Sequence, residues 1–164
     1  MVASIDNLLR TSLAGSKARI LALDPGETTG FCVFEGPNLV VADQLKTKSV
    51  PEGAWEIEKA VCKHNVAEVV MEMYRVYSWK AEDHSWQSLH TPRLIGAVEY
   101  VCFQLDVPLI QQTAQQAKGF CTDEKLKAWG VYQVGKPHSC DAIRHACYYL
   151  LFDVAKVHKP KGVK

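Results

Sequence analysis

Two short apolar runs that each end in a carboxylate constrain this chain more than any other feature. Arg19-Ile-Leu-Ala-Leu-Asp24 stops at Pro25-Gly26, and Val66-Ala-Glu-Val-Val-Met-Glu72 stops at a polar and aromatic stretch, residues 73–88. Short runs of this composition, bounded by turn formers, read as buried strands. Residues 29–35 and 38–45, set off by Pro25-Gly26 and Gly36-Pro37-Asn38, complete an antiparallel meander with the first run. Residues 51–65 predict a helix, with Pro51 near its start and Trp55, Ile57, Ala60 and Val61 as apolar positions. In residues 92–105, Leu94, Ile95, Val98, Val101, Cys102 and Leu105 recur at three- and four-residue steps, which predicts a second helix. Residues 107–112 read as a fifth strand, 113–129 as one or two short helices and 130–137 as a loop. Residues 138–154 predict a last helix with Ile143, Ala146, Cys147, Leu150 and Val154 on one side.

The predicted order is β-β-β-α-β-α-β-α. Strands entered through helices pair in parallel by right-handed crossovers. The expected fold is therefore α/β: a five-stranded mixed sheet with helices on both faces.

Composition agrees. With 164 residues, 48% hydrophobic and 23% charged, the chain can bury one core without crosslinks. The expected division is residues 1–17 as an arm or short helix, 18–155 as the folded domain and 156–164 as a basic, breaker-rich tail. The longest apolar stretch, 146–152, falls far short of the roughly 18 residues that cross a bilayer. The first residues lack a basic start followed by an unbroken apolar segment. No membrane partner and a cytoplasmic location are expected. Six cysteines without a C-x-x-C pair read as reduced core thiols, not as zinc ligands or a disulfide framework. Net charge is +1, so a polyanionic partner must be held by a local patch.

The chemistry lies in the carboxylates. If the first and fourth strands are parallel neighbours, Asp24 and Glu72 emerge side by side, and Asp141 sits in the first turn of the last helix. Each has an ordinary explanation taken singly: a turn residue at Asp24, a paired strand end at Glu72, a complement to the helix dipole at Asp141, a cap at His138. Gathered together, like charges repel unless a cation neutralises them. His138 and Asp141 are three apart, hence on one helix face, and His145 lies on the same stripe. Oxygen ligands with one imidazole suit Mg²⁺, with Mn²⁺ as a substitute, and two such ions about 4 Å apart hydrolyse phosphodiesters. Cations placed to meet phosphate are Arg75, Lys80, Arg93, Lys118, Lys125 and Lys127. Gly130 to Lys136 has phosphate-loop spacing, but Pro137 stands where a magnesium-binding hydroxyl is needed, so no nucleotide cofactor is expected.

Three segments, ILALDPGETTGFCVF, VVMEMYRVY and KPHSCDAIRHACYYL, resemble the catalytic segments of the RuvC-type Holliday-junction resolvases in the RNase H-like superfamily. The resemblance covers most of residues 18–152. It implies a magnesium-dependent homodimeric endonuclease that cuts four-way DNA junctions in a bacterial or phage-infected cell. It carries Asp24, Glu72, His138 and Asp141 over as catalytic ligands of two Mg²⁺ ions. An aromatic residue in the third position after the glutamate is part of that pattern, and here that position is Arg75. Tyr74, Tyr77 or Trp79 is then the ring that stacks on unpaired bases, with Arg75, Lys80 and Lys118 as further DNA contacts. The Asp-x-Gly-x-Thr-Thr-Gly turn also resembles the phosphate loop of sugar kinases and actin-like ATPases, which need two such domains. Two rival readings share the carboxylates or the fold: a nuclease acting on RNA, RNA–DNA hybrids or flapped DNA, and a non-catalytic junction-binding protein.

Overall fold

The computed structural model describes residues 18–74 and 89–153. Five strands form one sheet: β1 (Arg19–Asp24), β2 (Thr28–Glu35), β3 (Asn38–Lys46), β4 (Glu68–Glu72) and β5 (Leu109–Gln112). Their order is β3-β2-β1-β4-β5, with the first three antiparallel and β1-β4-β5 parallel. Helices α1 (Val50–His64), α2 (His90–Gln104), α3 (Ala114–Phe120), α4 (Asp123–Ala128) and α5 (Pro137–Tyr148) supply the crossovers and cover the sheet.

Side chains alternate across each strand, so the sheet feeds two cores. Ile20, Ala22, Cys32, Phe34 and Val70 pack against Ile143, Ala146 and Cys147 of α5 and Leu126 of α4. Leu21, Leu23, Val33, Val69 and Met71 pack on the opposite face against Ile57 and Val61 of α1 and Leu94, Ile95, Val98 and Cys102 of α2. This two-sided cover explains why β1 and β4 read as nearly unbroken apolar runs.

Local chemistry sets the element ends. Ser49 caps α1 by accepting from the Glu52 amide, and Asn65 ends that helix in the left-handed region, at φ 49°. Thr113 and Gln116 form a reciprocal capping box on α3. Pro137 opens α5, where a missing N–H costs nothing. The last helix differs from the sequence expectation. The α-helix stops at Tyr148 and gives way to a π-helical turn, Tyr149–Asp153. The wider turn carries Tyr149 fully into the core, where its hydroxyl donates to Glu68, and brings Asp153 to Gln112. The helix expected at 92–105 begins two residues earlier, at His90. Both flanking segments, 1–17 and 156–164, lie outside the described residues.

Candidate active site

Strand register brings four residues into a row at one edge of the sheet. Gly30 pairs with Asp24 and Glu72 pairs with Gln112, while the β1–β4 ladder ends one step short, at Leu23 and Met71. Asp24 and Glu72 therefore leave the carboxyl ends of neighbouring parallel strands, where open α/β sheets form their crevices. A turn locked by Thr29, whose hydroxyl accepts from the Gly26 amide and donates to the Gly26 carbonyl, ends β1 directly after Asp24.

Helix α5 lies across this edge. His138 Nδ1 stands 3.0 Å from Asp24 Oδ2. Seven residues on, His145 Nε2 stands 3.0 Å from Glu72 Oε2. The approach of α5 is close enough to demand a residue without a side chain beneath it: a Cβ on Gly30 would lie 1.8 Å from the His138 carbonyl oxygen. From α3, the Lys118 ammonium bridges Glu72 Oε2, at 3.2 Å, and Asp141 Oδ2, at 2.9 Å. Arg144 binds the other oxygen of Asp141, the Asp123 carboxylate and the Cys121 carbonyl. The site thus unites β1, β4, α3 and α5.

The electrostatics follow from crowding. Burial pushes the Asp24 carboxyl up from its ordinary value; the His138 hydrogen bond pulls it down, and the charges of Glu72 and Asp141 push it up again. Burial also opposes ionisation of Glu72, but His145 and Lys118 outweigh it and hold that carboxyl below the usual range. Burial disfavours the charged form of Lys118, yet its hydrogen bond to Asp141 and the charges of Glu72, Asp141 and Asp24 raise its pKa. One cation is therefore held directly by two carboxylates, with the charge of a third, Asp24, acting on it from further away.

That arrangement tests the fit of a divalent ion. Three carboxylates and an imidazole form an oxygen-rich set of the kind Mg²⁺ takes, and the Lys118 ammonium already serves among them as a stand-in cation. Among the described residues, no group of three or more His, Cys, Asp or Glu side chains is arranged so as to hold a metal ion. The donor types are those the ion takes, and in this structure the Lys118 ammonium bridges two of them, Glu72 and Asp141.

The four residues expected from sequence, Asp24, Glu72, His138 and Asp141, lie at this one edge, and Lys118 joins them. Tyr74 is half-buried against the α1–α2 core. Arg75, Tyr77, Trp79 and Lys80 lie outside the described residues. Lys125 is turned away, donating to the Phe120 carbonyl and lying 3.6 Å from the centre of that ring. Lys127 lies over Tyr132. Sequence reasoning missed Gln112 and Arg144, and it noted His145 only as part of a stripe. The available signal was a polar residue among apolar neighbours: Gln112 closes a strand, and His145 and Arg144 follow Ile143 in a buried helix.

A mixed sheet of this order, with three antiparallel strands followed by two parallel ones and helices on both faces, is the RNase H-like fold. Solved structures with the same fold include several Holliday junction resolvases. Thermus thermophilus RuvC, solved in complex with a Holliday junction substrate, superposes with a TM-score of 0.68 at 18% identity, covering 86% of this chain and 96% of that one. The yeast mitochondrial Holliday junction resolvase Ydc2 gives 0.58 at 14% identity, with 96% and 89% covered. The fowlpox virus resolvase gives 0.51 at 13%, with 80% and 97% covered. No protein-family model matches the sequence, and no curated protein matches it either.

Proposed function

We propose that this chain is a divalent-metal-dependent endonuclease that resolves four-way DNA junctions by paired phosphodiester hydrolysis. The observation that carries this reading is the meeting of Asp24, Glu72, His138, Asp141 and Lys118 at the carboxyl edge of a resolvase-type sheet. Asp24, Glu72, Asp141 and His138 are the residues that would hold two Mg²⁺ ions, which supply Lewis-acid stabilisation of the phosphoryl and leaving oxygens when bound. The chain's own groups do the rest. Lys118, displaced from the carboxylates, offers its ammonium to a phosphate oxygen as charge builds there. His138 keeps Nδ1 on Asp24, so its Nε2 is the nitrogen that ligates or carries a proton. Arg144 keeps Asp141 turned toward the site.

Magnesium titration on synthetic four-way, flapped and RNA–DNA hybrid substrates, with strand ends mapped, tests the reading. Paired nicks in the four-way junction, leaving 5′-phosphates, are expected. Preferred cleavage of the hybrid or the flap overturns the substrate assignment, and junction binding without cleavage in Mg²⁺ or Mn²⁺ overturns the enzymatic one.

Symmetric cleavage of a junction calls for two sites related by a twofold axis. The outer face of α2 is the surface proposed to make that dimer: Tyr100 and Phe103 are 64% and 83% exposed there, next to Gly96, which opens room for close approach. Phe103→Glu is expected to give a monomer by analytical ultracentrifugation and to uncouple the two nicks. A wild-type chain that sediments as a monomer at working concentration overturns the dimer.

A further inference from the structure

We infer that Asp153, Gln112 and His145 form a relay of positioning residues, buried at Gln112 and His145, that holds Glu72 in the orientation the proposed metal site needs. The inference rests on the reading above and extends it to three residues that touch neither substrate nor ion.

Donor and acceptor chemistry fixes the direction of the relay. The Asp153 carboxylate accepts, so the Gln112 group facing it at 3.1 Å is the amide nitrogen. That turns Gln112 Oε1 toward His145 Nδ1, 3.0 Å away, and Nδ1 must donate. The other ring nitrogen, Nε2, meets Glu72 Oε2 at 3.0 Å; a carboxylate oxygen accepts, so Nε2 donates as well and the bonded ring carries a proton on each nitrogen. With a partner at each nitrogen and no exposed surface, the ring has no room to turn.

Burial argues that the relay is there for the site and not for the fold. Gln112 is 2% exposed and His145 0%, and an apolar side chain packs in such a place without needing partners. The relay draws on three elements: Gln112 ends β5, His145 belongs to α5 and Asp153 closes the π-helical turn. Its end within the site is Glu72. A glutamate has three side-chain torsions, and anchoring one oxygen through a rigid ring removes most of that freedom.

Glu72 has two partners of different character. His145 is sealed in the core, whereas Lys118 is 38% exposed and able to leave. Both take Oε2, which leaves Oε1 as the oxygen for an incoming cation. The relay is thus the permanent support and Lys118 the exchangeable one.

The test is Mn²⁺ binding to the intact protein without DNA, by isothermal titration calorimetry, alongside steady-state cleavage. His145→Phe keeps a ring of similar shape and removes both nitrogens. It is expected to weaken Mn²⁺ binding about 10- to 100-fold and to lower kcat with KM for the junction unchanged. Gln112→Leu, which leaves the histidine in place, is expected to do the same in part. The double variant should be no weaker than His145→Phe, because both act through one contact. Asp153→Asn, which keeps an acceptor oxygen, should lose less than Asp153→Ala. Thermal unfolding reports folding separately, and if His145→Phe does not fold, Gln112→Leu carries the same comparison. Wild-type Mn²⁺ affinity in His145→Phe, or additive losses in the double variant, overturns the relay while leaving the proposed function standing. A wild-type protein that binds no Mn²⁺ overturns both.

Discussion

Asp24→Asn is expected to slow magnesium-dependent junction cleavage by about 10³-fold or more, and at the same time to make the metal-free protein harder to unfold at neutral pH. The loss of rate follows from removing a ligand oxygen of ions whose charge stabilisation is worth several kcal/mol, at about 1.36 kcal/mol per factor of ten. Junction binding should persist, because no phosphate contact is removed. The gain in stability follows from the shifted carboxyl. Burial, followed by the charges of Glu72 and Asp141, raises the folded-state pKa of Asp24 above its ordinary 3.8 against the pull of His138. The folded chain then holds that proton more tightly than the unfolded one, so stability is lost as pH rises from 3.8 through the raised value. Asparagine removes this loss. Glu72 has the opposite sign: its pKa is lowered, so its contribution is present at neutral pH and disappears as pH falls through the folded value. Thermal unfolding of both proteins across the carboxylate range checks the claim. The variant should be the more stable one at neutral pH, and the difference should vanish below 3.8. Saturating Mg²⁺ should reverse the order, since an ion at 100 times its Kd stabilises the wild type by about 2.7 kcal/mol. A variant that cuts normally removes Asp24 from the site.

Gly30→Ala is expected to reduce cleavage about 10²-fold and to destabilise the fold by about 1–3 kcal/mol, with the metal ligands all still present. The added methyl would lie 1.8 Å from the His138 carbonyl oxygen and 2.1 Å from its carbon, and both are backbone atoms. Neither can swing aside as a flexible side chain can. The start of α5 must lift from β2 by more than an ångström to restore ordinary contact. His138 then loses its 3.0 Å approach to Asp24, and Asp141, one turn further along, is carried with it. Rate and stability should therefore fall together, whereas Asp24→Asn separates them. The two variants compared in one cleavage assay and one thermal melt distinguish damage to the ligands from damage to their spacing. A Gly30→Ala protein with full activity would mean that α5 does not set the distance between its histidine and β1.

Much of the architecture was legible in local patterns. The unbroken apolar run Ile20-Leu-Ala-Leu23 and the turn after Asp24 define β1, and the three- and four-residue steps of Leu94, Val98, Val101 and Cys102 define α2. Parallel pairing of β1 with β4 follows from the helix between them, and with it the adjacency of Asp24 and Glu72. The π-helical turn after Tyr148 was not legible, because apolar spacing in five residues does not separate one wide turn from an ordinary one. The destinations of long side chains were not legible either. Lys118, Lys125 and Lys127 look alike in the sequence, yet the first reaches two carboxylates and the others turn to local partners.

The amino-acid sequence by itself determined which residues stand at strand ends and on which helix face, because those positions depend on periods of two and 3.6 residues and on turns a few residues long. Tertiary structure decided which of them meet. His138 finds Asp24 across 114 positions, His145 finds Glu72 across 73 and Gln112 across 33, and Gly30 passes beneath α5 with no room for a methyl group. Such encounters depend on how closely a helix lies on a sheet, a distance set by the packing of both cores together and encoded in no short stretch of chain.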